Sequence, residues 1–160
     1  MVQKRHTWPF YLGCAIAVLV TLAVTVFFAY TLHLRTEYKA FAREVNDVVL
    51  AVPAGDCTIE RNGQVWQADE ALVDYYDRFL LQENVNVVSR KGAADNSETL
   101  TLRLEDSALS FTGLDNSFDI ALRWDTPQGS STYTVNGGSF SYMQLSAYLS
   151  SFAKKHEPIS

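Results

Sequence analysis

Between Ala54 and Ala153 the chain has no histidine; its three histidines are His6, His33 and His156. A Ser-His-Asp or Cys-His mechanism in that stretch lacks its usual base, and the common His-containing zinc sites lack a ligand. Cysteine is nearly as scarce. Cys14 lies inside a long apolar run and Cys57 beyond it, so no intramolecular disulfide framework is expected. Cys57 reads as a small buried hydrophobe, with an intermolecular bridge or a reactive thiol as the other options. No Asn-x-Ser/Thr acceptor occurs, so N-glycosylation is not expected. A Gly-rich phosphate loop is missing too, since Asn136-Gly137-Gly138 is followed by no Lys-Ser/Thr. Asp115 to Asp119 offers oxygen ligands without the spacing or closing Glu of an EF-hand, and a polar turn explains it. Carboxylate pairs alone can run glycoside hydrolysis, but no pair is brought together by spacing. The expectation is a non-enzyme with no catalytic, cofactor-binding or metal residues to name, and with no cofactor; a carboxylate-dependent enzyme is the lesser alternative.

Charge is also absent from Phe10 to Leu34, which holds no Asp, Glu, Lys or Arg. As a helix at about 1.5 Å per residue its apolar core is roughly 35 Å long, against about 30 Å for a bilayer's hydrocarbon core. A cleaved signal would carry a shorter apolar region followed by small residues, whereas this run ends in Phe27-Phe28-Ala29-Tyr30. A lipoprotein signal places its Cys after the apolar run, and Cys14 stands near the beginning. An all-round apolar helix of this length would need more wrapping than 160 residues supply. Residues 10–34 are therefore expected to cross a membrane once, framed by Trp8, Tyr11 and Tyr30 at the interfaces. Lys4 and Arg5 precede the span, and Arg35, Lys39 and Arg43 follow it, so the positive-inside count nearly ties. The short basic tail, residues 1–9, is placed in the cytoplasm and the C-terminal domain outside it, at the cell membrane.

Ala54 to Ser160 holds eight Lys or Arg against fifteen Asp or Glu, a net of −7, while Met1 to Pro53 nets +2. An acidic head offers no electrostatic footprint for a phosphate backbone, which argues against nucleic acid. Most of its acids are expected to form a solvated surface.

In chain order, Leu34, Tyr38, Phe41, Val45 and Val48 recur at four-three spacing, and Phe27 and Thr31 extend the phase backward. That is the seam of an amphipathic stalk helix over residues 35–53, stopped near Val52 by Pro53 and Gly55. The seam needs cover from a second copy, from another protein, or from the chain's own head. Cys57 to Arg61, Asn62-Gly63 and Gln64 to Gln67 read as a hairpin, because Asn-Gly accepts positive φ. Asp69 caps a helix from Glu70 to about Glu83 with Leu72, Tyr75, Tyr76, Phe79 and Leu80 on its apolar face. Strands are expected at Val85–Arg90, around Leu100–Leu104, around Leu109–Phe111, and over Phe118, Ile120, Leu122 and Trp124, with a loop at Lys91–Ser97. Thr132–Val135, Asn136-Gly137 and Gly138–Phe140 suggest a second hairpin. Ser141-x-x-Gln144 has the form of a capping box for a last helix presenting Leu145, Tyr148, Leu149 and Phe152. The fold expected is α+β: a transmembrane helix continuing into the stalk, then residues 54–153 as an antiparallel sheet with two helices on one face, and a tail at 154–160.

The strand, Asn-Gly turn, Trp or Phe strand and Tyr-rich helix of Cys57–Phe79 and Tyr133–Phe152 align with each other. This reads either as a duplication or as two independent hairpin-helix units. These segments resemble small membrane-anchored extracytoplasmic domains of Gram-positive bacterial proteins. The resemblance implies a location in the envelope; the reading of the chain as a whole is a single-pass envelope protein whose domain binds another protein or a wall component. The long N-terminal helix carrying a mixed head also resembles type IV pilins and pseudopilins, although it lacks their leader processing site before a Phe and their Glu within the apolar helix. The expected partners are membrane lipid at the N-terminal helix and a protein or second copy at the stalk seam.

Overall fold

The computed structural model describes residues 8–81, 85–90, 98–114, 118–136 and 141–159. Several expected features fall outside them: most of the N-terminal tail, the Lys91–Ser97 loop, Asp115–Ser117, and the Gly137–Phe140 arm of the second hairpin. The chain divides into two units after Leu34.

The first unit is helical from Trp8 onward, the beginning of α1 (Trp8–Ala51). Helix α1 is long and apolar enough to cross a membrane once, with mean hydropathy 2.6 in its most apolar window. Phe10, Leu19, Leu22, Val26 and Phe28 all stand exposed. The threonine hydroxyls in this stretch bond to their own helix: Thr21 to the Ala17 carbonyl at 2.9 Å and Thr25 to the Thr21 carbonyl at 2.8 Å. Such satisfaction within the segment is what a hydrocarbon environment requires.

The second unit, Arg35–Ser160, takes in the end of α1. Pro53 stops that helix as its ring demands, and a short 3-10 turn over Ala54–Asp56 leads into the sheet. β1 (Cys57–Arg61) and β2 (Gln64–Gln67) form the expected hairpin, with φ of 51° at Asn62 and 79° at Gly63. α2 spans Glu70–Leu80, and the Asp69 carboxylate accepts from the Leu72 amide at 2.8 Å. Then come β3 (Asn86–Ser89), β4 (Thr99–Leu104), β5 (Ser107–Gly113), β6 (Asp119–Thr126), β7 (Gly129–Asn136) and α3 (Tyr142–Ala153). Both bonds of the capping box at Ser141 and Gln144 are present.

The described strands make one antiparallel sheet in the order β2-β1-β4-β5-β6-β7-β3. Its registers stack Ile59, Leu102, Leu109 and Trp124 in one row and Leu100, Phe111, Leu122 and Tyr133 in the next, all buried. The opposite face carries Thr101, Ser110, Arg123 and Thr132. Period-two alternation thus divides the sheet into a dry and a wet side.

Helices cover the dry side. Phe111 meets Tyr76 and Phe79 of α2 at ring separations of 5.1 and 5.8 Å. Tyr133 meets Tyr38 and Phe41 of α1 at 5.6 and 4.8 Å. α3 joins through stacked Tyr75 and Tyr148, 3.8 Å apart, and through the Tyr76 hydroxyl, which donates to the Leu145 carbonyl at 3.0 Å. Burial raises the Tyr38 and Tyr76 hydroxyls well above their ordinary pKa of 10 and keeps them donors. So the two expected helices lie on one face, and a third element, the end of α1, lies with them.

Three expectations are corrected. Phe118 precedes β6 and is exposed, because the strand begins at Asp119. Tyr75 is half-buried and Val73 takes the inward position. Along α1 the last inward residue is Val49 where the seam pointed to Val48, as 3.6 residues per turn drift from a 3.5 repeat. β7 has β6 on one edge and β3 on the other.

Candidate functional site

The β1 alternation that buries Cys57 and Ile59 places Arg61 on the same dry face, at its margin. A cation there must be paired or open to solvent. Its Nε donates to the Glu98 carboxylate at 2.6 Å, and Nη1 to the Ser150 hydroxyl on α3 at 2.8 Å. A guanidinium has five N–H groups. Three of them, on Nη1 and Nη2, therefore have no partner among the described residues.

Beside Arg61 opens a cleft of about 440 Å³. Asn62 of the β1–β2 turn, Gln64 at the start of β2, Ser150 of α3 and Lys154 just past it supply its polar groups, and the Trp66 side chain of β2 also lines it. Ala153 and Pro158 are its apolar walls. The wall at Pro158 is held in place because the Ile159 amide donates to the Val65 carbonyl at 2.7 Å, capping the edge of β2. Cleft sizes of this order, with apolar walls and a few convergent polar groups, are typical of small-ligand sites.

The cleft holds two cations, Arg61 and Lys154, beside amide and hydroxyl groups that both donate and accept. No carboxylate lines it among the described residues, in a head whose net charge is −7. Trp66 is 5% exposed, and its indole nitrogen is buried without an acceptor among the described residues. Tyr142 stands close enough to Arg61 and Glu98 to feel both: burial first, then the Glu98 charge, push its pKa up, while Arg61 opposes. The Tyr142 hydroxyl is likewise buried without a partner. Among the described residues the Trp124 indole nitrogen, on β6, is a further buried side-chain donor without a partner.

Cys57 is fully buried, and burial followed by the Asp56 charge raises its thiol pKa, which disfavours the thiolate. Asp119, from the acidic turn, accepts from the Asn136 amide at 2.9 Å and so ties β6 to β7. Among the described residues no three His, Cys, Asp or Glu side chains gather where a metal could sit.

Sequence reasoning named none of the cleft residues as a site. The available signal was Arg61 itself, a charge falling on the apolar phase of a strand beside Trp66. No family model matches the chain, and neither does any curated protein or solved structure.

Proposed function

We propose that this is a single-pass membrane protein whose small acidic α+β head acts as a non-catalytic binding module outside the cytoplasm, in a cell envelope. The observation that carries the binding role is the cleft at Arg61, where a half-paired guanidinium and Lys154 line a hollow of small-ligand size. The membrane role rests on the apolar, exposed first part of α1. The orientation rests on the short basic tail. The stalk positions that were expected to seek a partner, Tyr38, Phe41 and Val45, are buried within the Arg35–Ser160 unit, which moves the proposed contact from the stalk to the head.

Protease added to intact, wall-stripped cells should remove the head and leave the span. Protection until lysis would reverse the topology. Crosslinking in intact cells should trap a partner through residues introduced around the cleft; capture only through the stalk would overturn the assignment to the head.

A second reading, a pilin-like assembly subunit, is favoured by one feature. α1 is a single helix of 44 residues whose latter part packs on an antiparallel sheet through Tyr133. Shearing cells and pelleting filaments tests it: the subunit should appear in the filament fraction under this reading and remain with membranes under the first.

A further inference from the structure

We propose that the cleft between the β1–β2 turn and the end of α3 binds an oxyanion, a carboxylate or a phosphate, carried on a group with a small apolar flank. This rests on the binding-module reading and names its ligand class.

Trp66 lines the cleft, so its side chain reports on an occupant, although its indole nitrogen is itself buried. Arg61 has two N–H groups committed, one to Glu98 and one to Ser150, and these bonds fix the guanidinium plane. Its uncommitted Nη1 and Nη2 hydrogens form a fork suited to two oxygens of one anion. Lys154 adds a second cation that makes no ion pair among the described residues. Glu98 offsets one of these charges, leaving the pair of cations and that carboxylate at a net +1, in a head that is otherwise acidic. A cationic ligand would find no carboxylate among the described lining residues, and a neutral one would leave the fork unused. The cleft volume limits the recognised group to something of small-metabolite size.

The test uses the full chain in uncharged detergent micelles, with the indole N–H signals of Trp8, Trp66 and Trp124 followed by nitrogen-15 NMR. Trp66→Phe assigns the Trp66 signal. Inorganic phosphate and N-acetylalanine are the anionic probes, and N-acetylalanine amide is the uncharged control. The expected result is a saturable movement of the Trp66 signal with at least one anion, while Trp8, Trp124 and the amide control stay still. Saturation by phosphate alone identifies a phosphate-bearing ligand, and saturation by N-acetylalanine alone a carboxylate. Lys154→Glu, an exposed change that leaves the core intact, should weaken binding by about tenfold or more, and Arg61→Lys should weaken it by removing the fork. Affinity should also fall as salt rises. The proposal is overturned by no saturable movement with either anion, by equal movement with the amide, or by unchanged affinity in both variants. A head-directed crosslink in cells together with a silent cleft would reject the anion and keep the binding module.

Discussion

At the scale of single residues, Ile120 and Arg123 lie three apart on β6 and face opposite sides of the sheet. Ile120 is wholly buried; Arg123 has 61% of its side chain in solvent and pairs with Asp125 at 2.9 Å. Ile120→Asp strands a charge in the core and should cost more than about 4 kcal/mol, enough to unfold the head. Arg123→Ser should cost less than about 1 kcal/mol. Denaturant melts of the two variants decide it, and equal midpoints would refute the strand's facing. Asp125 gives a pH test on the same face. Burial pulls its pKa up, but hydrogen bonds from Ser130 and Arg123 and the Arg123 charge together hold it below 3.8. A depressed folded pKa adds stability above the unfolded carboxylate range, and that stability is lost as pH falls through the folded value. Because Asp125 is over a third exposed, the contribution is only about a few tenths of a kcal/mol. Asp125→Asn should lie slightly below the parent in melting temperature at neutral pH, and the gap should close as pH falls below 3.8 and through the depressed folded value. A gap that stays constant as the solution is acidified would show that the pair contributes nothing through ionisation.

Whole elements were legible where their signals are local. The Asn62-Gly63 hairpin, the Asp69 cap and the Ser141 capping box each rest on two to four neighbouring residues, and each stands at its expected place. Strand order is a different matter. Nothing within Val85–Arg90 says that β3 will pair with β7 some fifty residues on, at the far edge from β1. The cleft was illegible for the same reason, because its walls come from a hairpin turn, the end of α3 and the tail. Contacts between elements nevertheless yield a sharp prediction. An added Cβ on Gly113, at the end of β5, would sit 2.7 Å from the Tyr142 ring at the start of α3. Gly113→Ala must push that ring aside and should cost about 1–3 kcal/mol as overpacking. Gly55→Ala, where a Cβ meets nothing within 4 Å, is the control. If thermal melts show both changes to be equally mild, α3 does not rest on β5 as described. Cysteines placed at Phe41 and Val45 should likewise fail to link two chains on oxidation, since the chain's own head covers both. Efficient disulfide formation there would mean that the head leaves the helix exposed.

For the molecule as a whole, the boundary that matters lies at Arg35, well before Pro53, where the helix ends. Residues from Arg35 onward belong to the same unit as the sheet, and Tyr38, Phe41, Val45 and Val49 are part of its core. Tyr38 also donates to the Leu80 carbonyl at 3.3 Å, and Arg90 reaches Glu37 at 2.8 Å, so the end of α1 is tied to the segments on either side of α2's exit. Burying four such side chains is worth about 1.5–3 kcal/mol each. Their sum is comparable to the whole stability of a small domain, about 5–15 kcal/mol. A fragment from Arg35 to Ser160 should therefore be soluble, melt cooperatively, and retain the tertiary signals of the full chain. A fragment from Ala54 to Ser160 keeps every strand and both later helices, yet uncovers Tyr133 and the neighbouring dry face of the sheet. It should be partly unfolded or aggregated at temperatures where the longer fragment is native. Circular dichroism melts and gel filtration of the two fragments make the comparison. A cooperative transition of the shorter one within a few degrees of the longer would show that the latter part of α1 is a dispensable stalk, and that the head's core is complete without it.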